Sequence, residues 1–115
     1  MLTMNERQQA ASILTKVTQQ QLSLTPLLVD ASPLVKELCY GCLRWYPRLD
    51  YMAKQLLHSP LKPKDQDIHH LLLIGLYQLI FSRMPDYAAI SETVEAARHL
   101  KKPWACGLLN KLLRL

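Results

Sequence analysis

Apolar residues recur along this chain at helical spacing, and no stretch alternates with the period of two that a half-buried strand needs. In residues 5–20, Ala10, Ile13, Leu14 and Val17 fall at i, i+3, i+4 and i+7, which predicts an amphipathic helix. Thr3 followed by Glu6 has capping-box spacing for its start. Pro26, Asp30 and Pro33 interrupt the next stretch and leave room for one short helical turn. Ser32 then Pro33 is an N-cap and N1 pair. It opens a helix over 33–45 that carries Leu34, Leu38 and Cys42 beside Val35, Cys39 and Leu43. Pro47 restarts the chain after Trp45, and Leu49, Met52, Ala53, Leu56 and Leu57 form a further stripe. Residues 58–64 read as a loop with two prolines, and Asp65 is the expected cap of a helix over 66–83. Two more helices are predicted, over 88–100 with Ile90, Val94 and Ala97 inward, and from Pro103 onward with Ala105, Leu108, Leu109 and Leu112 inward.

The 66–83 segment differs from the others because apolar residues from Ile68 to Phe81 cover nearly every face. A helix apolar all round must be enclosed by other helices. Gly75, in its interior, costs about 1 kcal/mol against alanine, which a close helix crossing would offset. The expected fold is therefore all-α, one domain over 1–115, with about seven helices around a central hydrophobic one.

Composition adds class rather than chemistry. At 115 residues, half of them apolar and a fifth charged, the chain has ordinary globular character. The apolar run from Leu71 to Phe81 is too short to span a bilayer. The N-terminus lacks the pattern of a signal peptide, and three cysteines in apolar stretches suit a reducing compartment. A soluble, cytoplasmic protein with no membrane partner is the expectation.

Catalytic motifs are not evident. Cys39 and Cys42 form a C-x-x-C without a second ligand pair, and His69 and His70 point about 100° apart on one helix. Neither arrangement predicts a metal site, and two core thiols are the expected role of the cysteines. Asp65, Asp67 and His69 suggest an acid-base group, but acids in the first turn of a helix are explained by its dipole. Gly41, Gly75 and Gly107 are too widely separated to build a phosphate- or cofactor-cradling loop.

Charge leaves one signal. The net charge is +5, which favours a polyanionic partner. Candidate RNA-binding residues are Arg7 and Lys16 in the first helix, Arg44 and Arg48 around the 44–48 junction, and Lys101 and Lys102 before the last helix, with Lys62 and Lys64 in the loop between. Arg44-Trp45-Tyr46-Pro47-Arg48 interleaves arginines with aromatics, which suits phosphate gripping and base stacking. The competing expectation is that Trp45 and Tyr46 plug the core while the arginines are solvated.

Four blocks then carry a family resemblance: Glu37-Leu-Cys-Tyr-Gly-Cys-Leu-Arg-Trp45, Leu71-Leu-Leu-Ile-Gly-Leu-Tyr-Gln78, Ser91-Glu-Thr-Val-Glu-Ala-Ala-Arg98, and Lys102-Pro-Trp104 with Gly107-Leu-Leu-Asn-Lys-Leu-Leu-Arg114. In this order they resemble the NusB-like domain, and more narrowly the N-terminal domain of bacterial 16S ribosomal RNA cytosine-C5 methyltransferases. The resemblance runs from about Arg7 to Arg114. It implies a seven-helix fold of two small bundles and a role in RNA recognition. It also implies a separate S-adenosylmethionine-dependent catalytic domain in the same polypeptide, which these residues do not contain, so no cofactor is expected in this chain. The closing pattern LLNKLLRL favours a fragment of such an enzyme over a short protein that kept only the binding module.

Stand-alone NusB antitermination factors begin their first helix with an arginine-rich segment. Of that RNA-facing region only Arg7 and Lys16 carry over here. An antitermination factor that binds boxA-type RNA is therefore the second expectation. A helical interaction scaffold without RNA affinity, its basic residues scattered over separate faces, is the third.

Overall fold

A computed structural model describes residues 5–114. Among these residues the chain forms seven α-helices and no strand: α1 Glu6–Gln20, α2 Leu24–Leu27, α3 Pro33–Arg44, α4 Tyr46–Leu56, α5 Gln66–Phe81, α6 Asp86–His99 and α7 Trp104–Leu113. A 3-10 turn, Pro63–Asp65, leads into α5. No helix among the described residues is long and apolar enough to cross a membrane.

Local chemistry sets most helix starts. Ser32 Oγ accepts from the Val35 amide at 3.2 Å, with Pro33 at the first helical position, as the Ser-Pro pair predicts. Thr3 of the expected capping box lies outside the described residues. Asn5 caps α1, its Oδ1 accepting from the Gln8 amide at 3.0 Å, while the Glu6 carboxylate accepts from the Ser32 hydroxyl and ties α1 to the start of α3. Asp65 stands at the N-cap position of α5 but makes no capping bond, because its carboxylate faces Lys102 instead. Helix α5 ends at Phe81, two residues before the predicted limit, and α6 begins at Asp86, two before its own.

Helix α5 is the axis of the fold. Every residue from Ile68 to Gln78 is buried, and α1, α3, α4, α6 and α7 all pack against it. The helices before and after it share one continuous core. Two glycines permit the closest approaches. A Cβ on Gly75 would come within 2.7 Å of the Leu113 methyls, so α7 crosses α5 there. A Cβ on Gly41 would strike the Tyr77 ring, which seats α3 against α5.

A buried helix also carries polar side chains, and these are answered by neighbours. Among the described residues no buried side-chain nitrogen or oxygen lacks a hydrogen-bond partner. His70 is 1 % exposed. The Thr15 hydroxyl donates to the Ala11 carbonyl at 2.8 Å, so its oxygen is left to accept from His70 Nδ1–H at 2.9 Å. His70 Nε2 then accepts from the Tyr46 hydroxyl, also at 2.9 Å. This relay links α1, α5 and α4 through a neutral imidazole. Burial, reinforced by neighbouring His69, pushes the His70 pKa down to about 4.

Because the folded pKa lies below the unfolded one, the unfolded chain takes up the extra proton first as pH falls. Stability is complete above the unfolded value near 6.5 and declines towards about pH 4. The loss expected from this group is on the order of 3 kcal/mol. Denaturant unfolding at a series of pH values checks the slope. An NMR titration in which His70 protonates near 6.5 would contradict it.

Candidate nucleic-acid interface

The start of α5 gathers lysines from three segments. Lys102 Nζ donates to the Lys64 carbonyl at 2.7 Å and to Asp67 Oδ1 at 2.8 Å, and pairs with Asp65 Oδ1 at 3.1 Å. Partial burial disfavours its charge, but the hydrogen bonds to Asp67 and Asp65 outweigh that and lift its pKa above the ordinary value. Lys102 is thus a clamp between the α6–α7 turn and the α5 entry, with its donors already engaged. From α1, Gln19 donates to the Pro63 carbonyl at 3.1 Å, and Lys16 lies one turn earlier on the same side of that helix. These bonds hold the α1 flank, the 62–64 stretch and the α6–α7 turn side by side. Lys16, Lys62, Lys64 and Lys101 are all exposed there, and none pairs with a carboxylate among the described residues.

The structure departs from the sequence expectation for the other basic positions. The Arg44 guanidinium lies 5.7 Å from the centroid of the Trp45 ring. Trp45 in turn stacks on Phe81, with centroids 4.7 Å apart and planes within 11°. Phe81 is the last residue of α5 and Lys102 binds its first turn, so Arg44 and the lysine group mark opposite ends of a helix roughly 24 Å long. Arg48 is exposed on the far side of α4 from Tyr46 and Asp50, which face α5. Trp45 and Tyr46 are engaged in packing and in the His70 relay, the core role weighed for them above.

Arg7 is largely enclosed. It is 6 % exposed, and its Nε and Nη2 donate to Gln78 Oε1 at 3.2 and 2.9 Å. Gln78 Nε2 passes the network on to Thr93 Oγ1 at 2.9 Å and the Ile74 carbonyl at 3.1 Å. The open cleft that Arg7 helps to line also carries Glu6, Asp30 and Glu92, three acids that disfavour phosphate there. The reason was present in the helical spacing. Arg7, Ala10, Ala11 and Leu14 are the buried residues of α1 and fall at i, i+3, i+4 and i+7, whereas Ile13 and Val17 are only half-buried. The RNA-facing role that the resemblance assigns to Arg7 does not fit a side chain so enclosed.

Other groups singled out for chemistry make internal contacts. Cys39 and Cys42 are buried. Burial pushes the Cys39 pKa up to about 12 and, with Cys39 nearby, raises that of Cys42 as well. His69 Nε2 donates to Asp50 Oδ1 at 2.7 Å. Burial raises the Asp50 pKa, but hydrogen bonds from Lys54 and His69 outweigh it and hold the carboxyl below its ordinary value. No sequence signal pairs Asp50 with a histidine nineteen residues away.

An all-α fold wound around one buried helix, with a lysine group at its entry, defines the class. The chain belongs to the NusB family, whose pattern matches residues 4–115. It is 49% identical over 114 residues to the "Probable ribosomal RNA small subunit methyltransferase B" of Coxiella burnetii, covering 96% of this chain and 26% of that protein. It is likewise 49% identical over 119 residues to the Pseudomonas putida "Ribosomal RNA small subunit methyltransferase B", and 44% identical over 119 residues to that of Vibrio vulnificus. In both cases 96% of this chain is covered, against 27% and 28% of the relative. The chain therefore spans about a quarter of the length of these relatives.

Replacing Arg7 by alanine leaves Gln78 Oε1 without its donor inside the core. The expected cost is about 1–3 kcal/mol of folding stability. Chemical denaturation of the variant measures it, and an unchanged midpoint would show that Arg7 is free rather than structural.

Proposed function

We propose that this chain is an RNA-binding accessory domain. It helps an S-adenosylmethionine-dependent cytosine-C5 methyltransferase domain of the same polypeptide to engage 16S ribosomal RNA. The observation that carries this reading is the exposed group of Lys16, Lys62, Lys64 and Lys101 around the entry to α5, without carboxylate partners among the described residues. Ammonium groups spaced along a surface and not paired with carboxylates attract phosphates and release counterions when they bind. The names of the relatives supply the kind of RNA, and their greater length accommodates a domain for methyl transfer. Recognition is then the task of this domain, and transfer of the methyl group that of the other domain.

The antitermination reading relies on an arginine-rich face on the first helix. Here that face offers Lys16 alone, because Arg7 is enclosed. The scaffold reading expects scattered cations. The distance of Arg44 from the lysines goes that way, but the convergence of lysines from three segments goes against it.

Four phosphate contacts predict a slope of log affinity against log salt of about −3. Replacing both Lys16 and Lys101 by glutamate is expected to reduce its magnitude by about 1–2. Arg44→Ala is expected to leave the slope unchanged. A salt titration with a 16S-derived hairpin measures all three. Absence of binding even at low salt removes the proposal.

A further inference from the structure

Beside the lysine group, between α4 and the start of α5, lies a cleft of about 300 Å³. It is separate from the charged surface and of different chemistry. Leu57, Pro60 and Leu61 form apolar walls with the ring of Tyr46, and Asp50, His69 and Gln66 supply polar groups. Lys54, His58 and Ser59 complete its lining. Asp50, His69 and Gln66 are held in place. Gln66 Nε2 donates to the Leu61 and Lys62 carbonyls at 3.0 and 3.3 Å, which leaves its Oε1 as an acceptor with no donor among the described residues. His69, 5 % exposed, directs Nε2–H to Asp50, so in the neutral ring Nδ1 is also an open acceptor.

The dimensions and polarity restrict the occupant. A volume near the lower end for ligand pockets suits one small planar group rather than a long chain. Phosphate is disfavoured because the Asp50 carboxylate, fixed by Lys54 at 2.8 Å and His69 at 2.7 Å, stays ionised in the lining. Single-stranded RNA is read by placing unstacked bases against apolar or aromatic surfaces and hydrogen-bonding their edges. Leu61 forms part of the wall, and the chain continues directly into Lys62 and Lys64, so phosphates flanking an inserted base meet those ammonium groups.

We infer that this cleft receives one unstacked RNA base bearing an exocyclic amine, whose N–H groups meet Gln66 Oε1 and His69 Nδ1. The inference rests on the RNA-binding reading and deepens it, adding a base-reading subsite to a surface that otherwise grips only phosphates.

The test is an NMR titration of the intact chain with the 5′-monophosphates of cytidine, adenosine and uridine, with ribose 5-phosphate and inorganic phosphate as controls. Cytidine and adenosine monophosphate are expected to shift the His69 ring and the Leu57 and Leu61 methyl signals saturably, and uridine monophosphate less. The inference is overturned if the controls produce the same shifts, if uridine monophosphate matches the amino-bearing bases, or if no nucleotide moves these signals. Ser59→Trp, at the exposed rim, is expected to block the cleft and weaken binding of a single-stranded 16S-derived oligonucleotide about fivefold or more. The salt slope should be unchanged, and unaltered affinity in this variant counts against the inference. Loss of the subsite with the wild-type salt slope retained refutes the base pocket and spares the RNA-binding reading. Nucleotide shifts in a chain that shows no salt-dependent RNA binding refute the latter.

Discussion

A helix buried on every side from Ile68 to Gln78 imposes one condition on everything around it: the polar atoms it encloses must find partners inside the protein. Buried groups left unpaired cost about 1–3 kcal/mol each, a large share of the stability of a small domain. In α5 the partners come from different helices. Asp50 of α4 meets His69, Thr15 of α1 and Tyr46 of α4 meet His70, and Arg7 of α1 and Thr93 of α6 meet Gln78. Leucine packing alone tolerates a neighbour sliding or turning slightly, whereas these bonds are satisfied at one register only. The polar residues of the most apolar helix therefore set how α1, α4 and α6 are placed, and through them where the surface lysines stand.

That dependence explains which features were readable beforehand. Elements governed by near neighbours in sequence were legible: the Ser32–Pro33 start, the breaks around residues 22–32 and 58–64, the enclosure of α5 and the close crossing at Gly75. Features created by distant partners were not. Asp65 looks like a helix cap until Lys102, far along the chain, draws its carboxylate away. Lys102 looks like a surface cation for the same reason. Charge and resemblance both point Arg7 outward, although its spacing with Ala10, Ala11 and Leu14 places it on the inward stripe. The cleft beside His69 depends on Asp50 and on the path of the 57–61 connection, which helical periodicity does not specify.

The distribution of charge is more informative than its sum. Of the basic residues behind the net charge of +5, Arg7 and Lys102 are held by internal partners, and the cleft near Arg7 is ringed by acids. The unpaired lysines at the α5 entry thus contrast with the acid-bearing cleft at the start of α1. Such asymmetry orients a polyanion during approach. In the proposed role, it would present the RNA to the α5 entry rather than to the start of α1.

The turn after α6 carries one more lesson. Lys101 adopts φ 63°, while its amide donates to the Arg98 carbonyl at 2.9 Å and the Lys102 amide to the Ala97 carbonyl at 2.9 Å. This is the Schellman ending, at which glycine is the usual residue because a side chain in left-handed geometry costs about 1–2 kcal/mol. A glycine at this point would relax the backbone and remove one ammonium group from the surface. Thermal resilience and electrostatic reach therefore compete at a single position, so a variant selected for heat resistance alone would drift towards weaker attraction for polyanions.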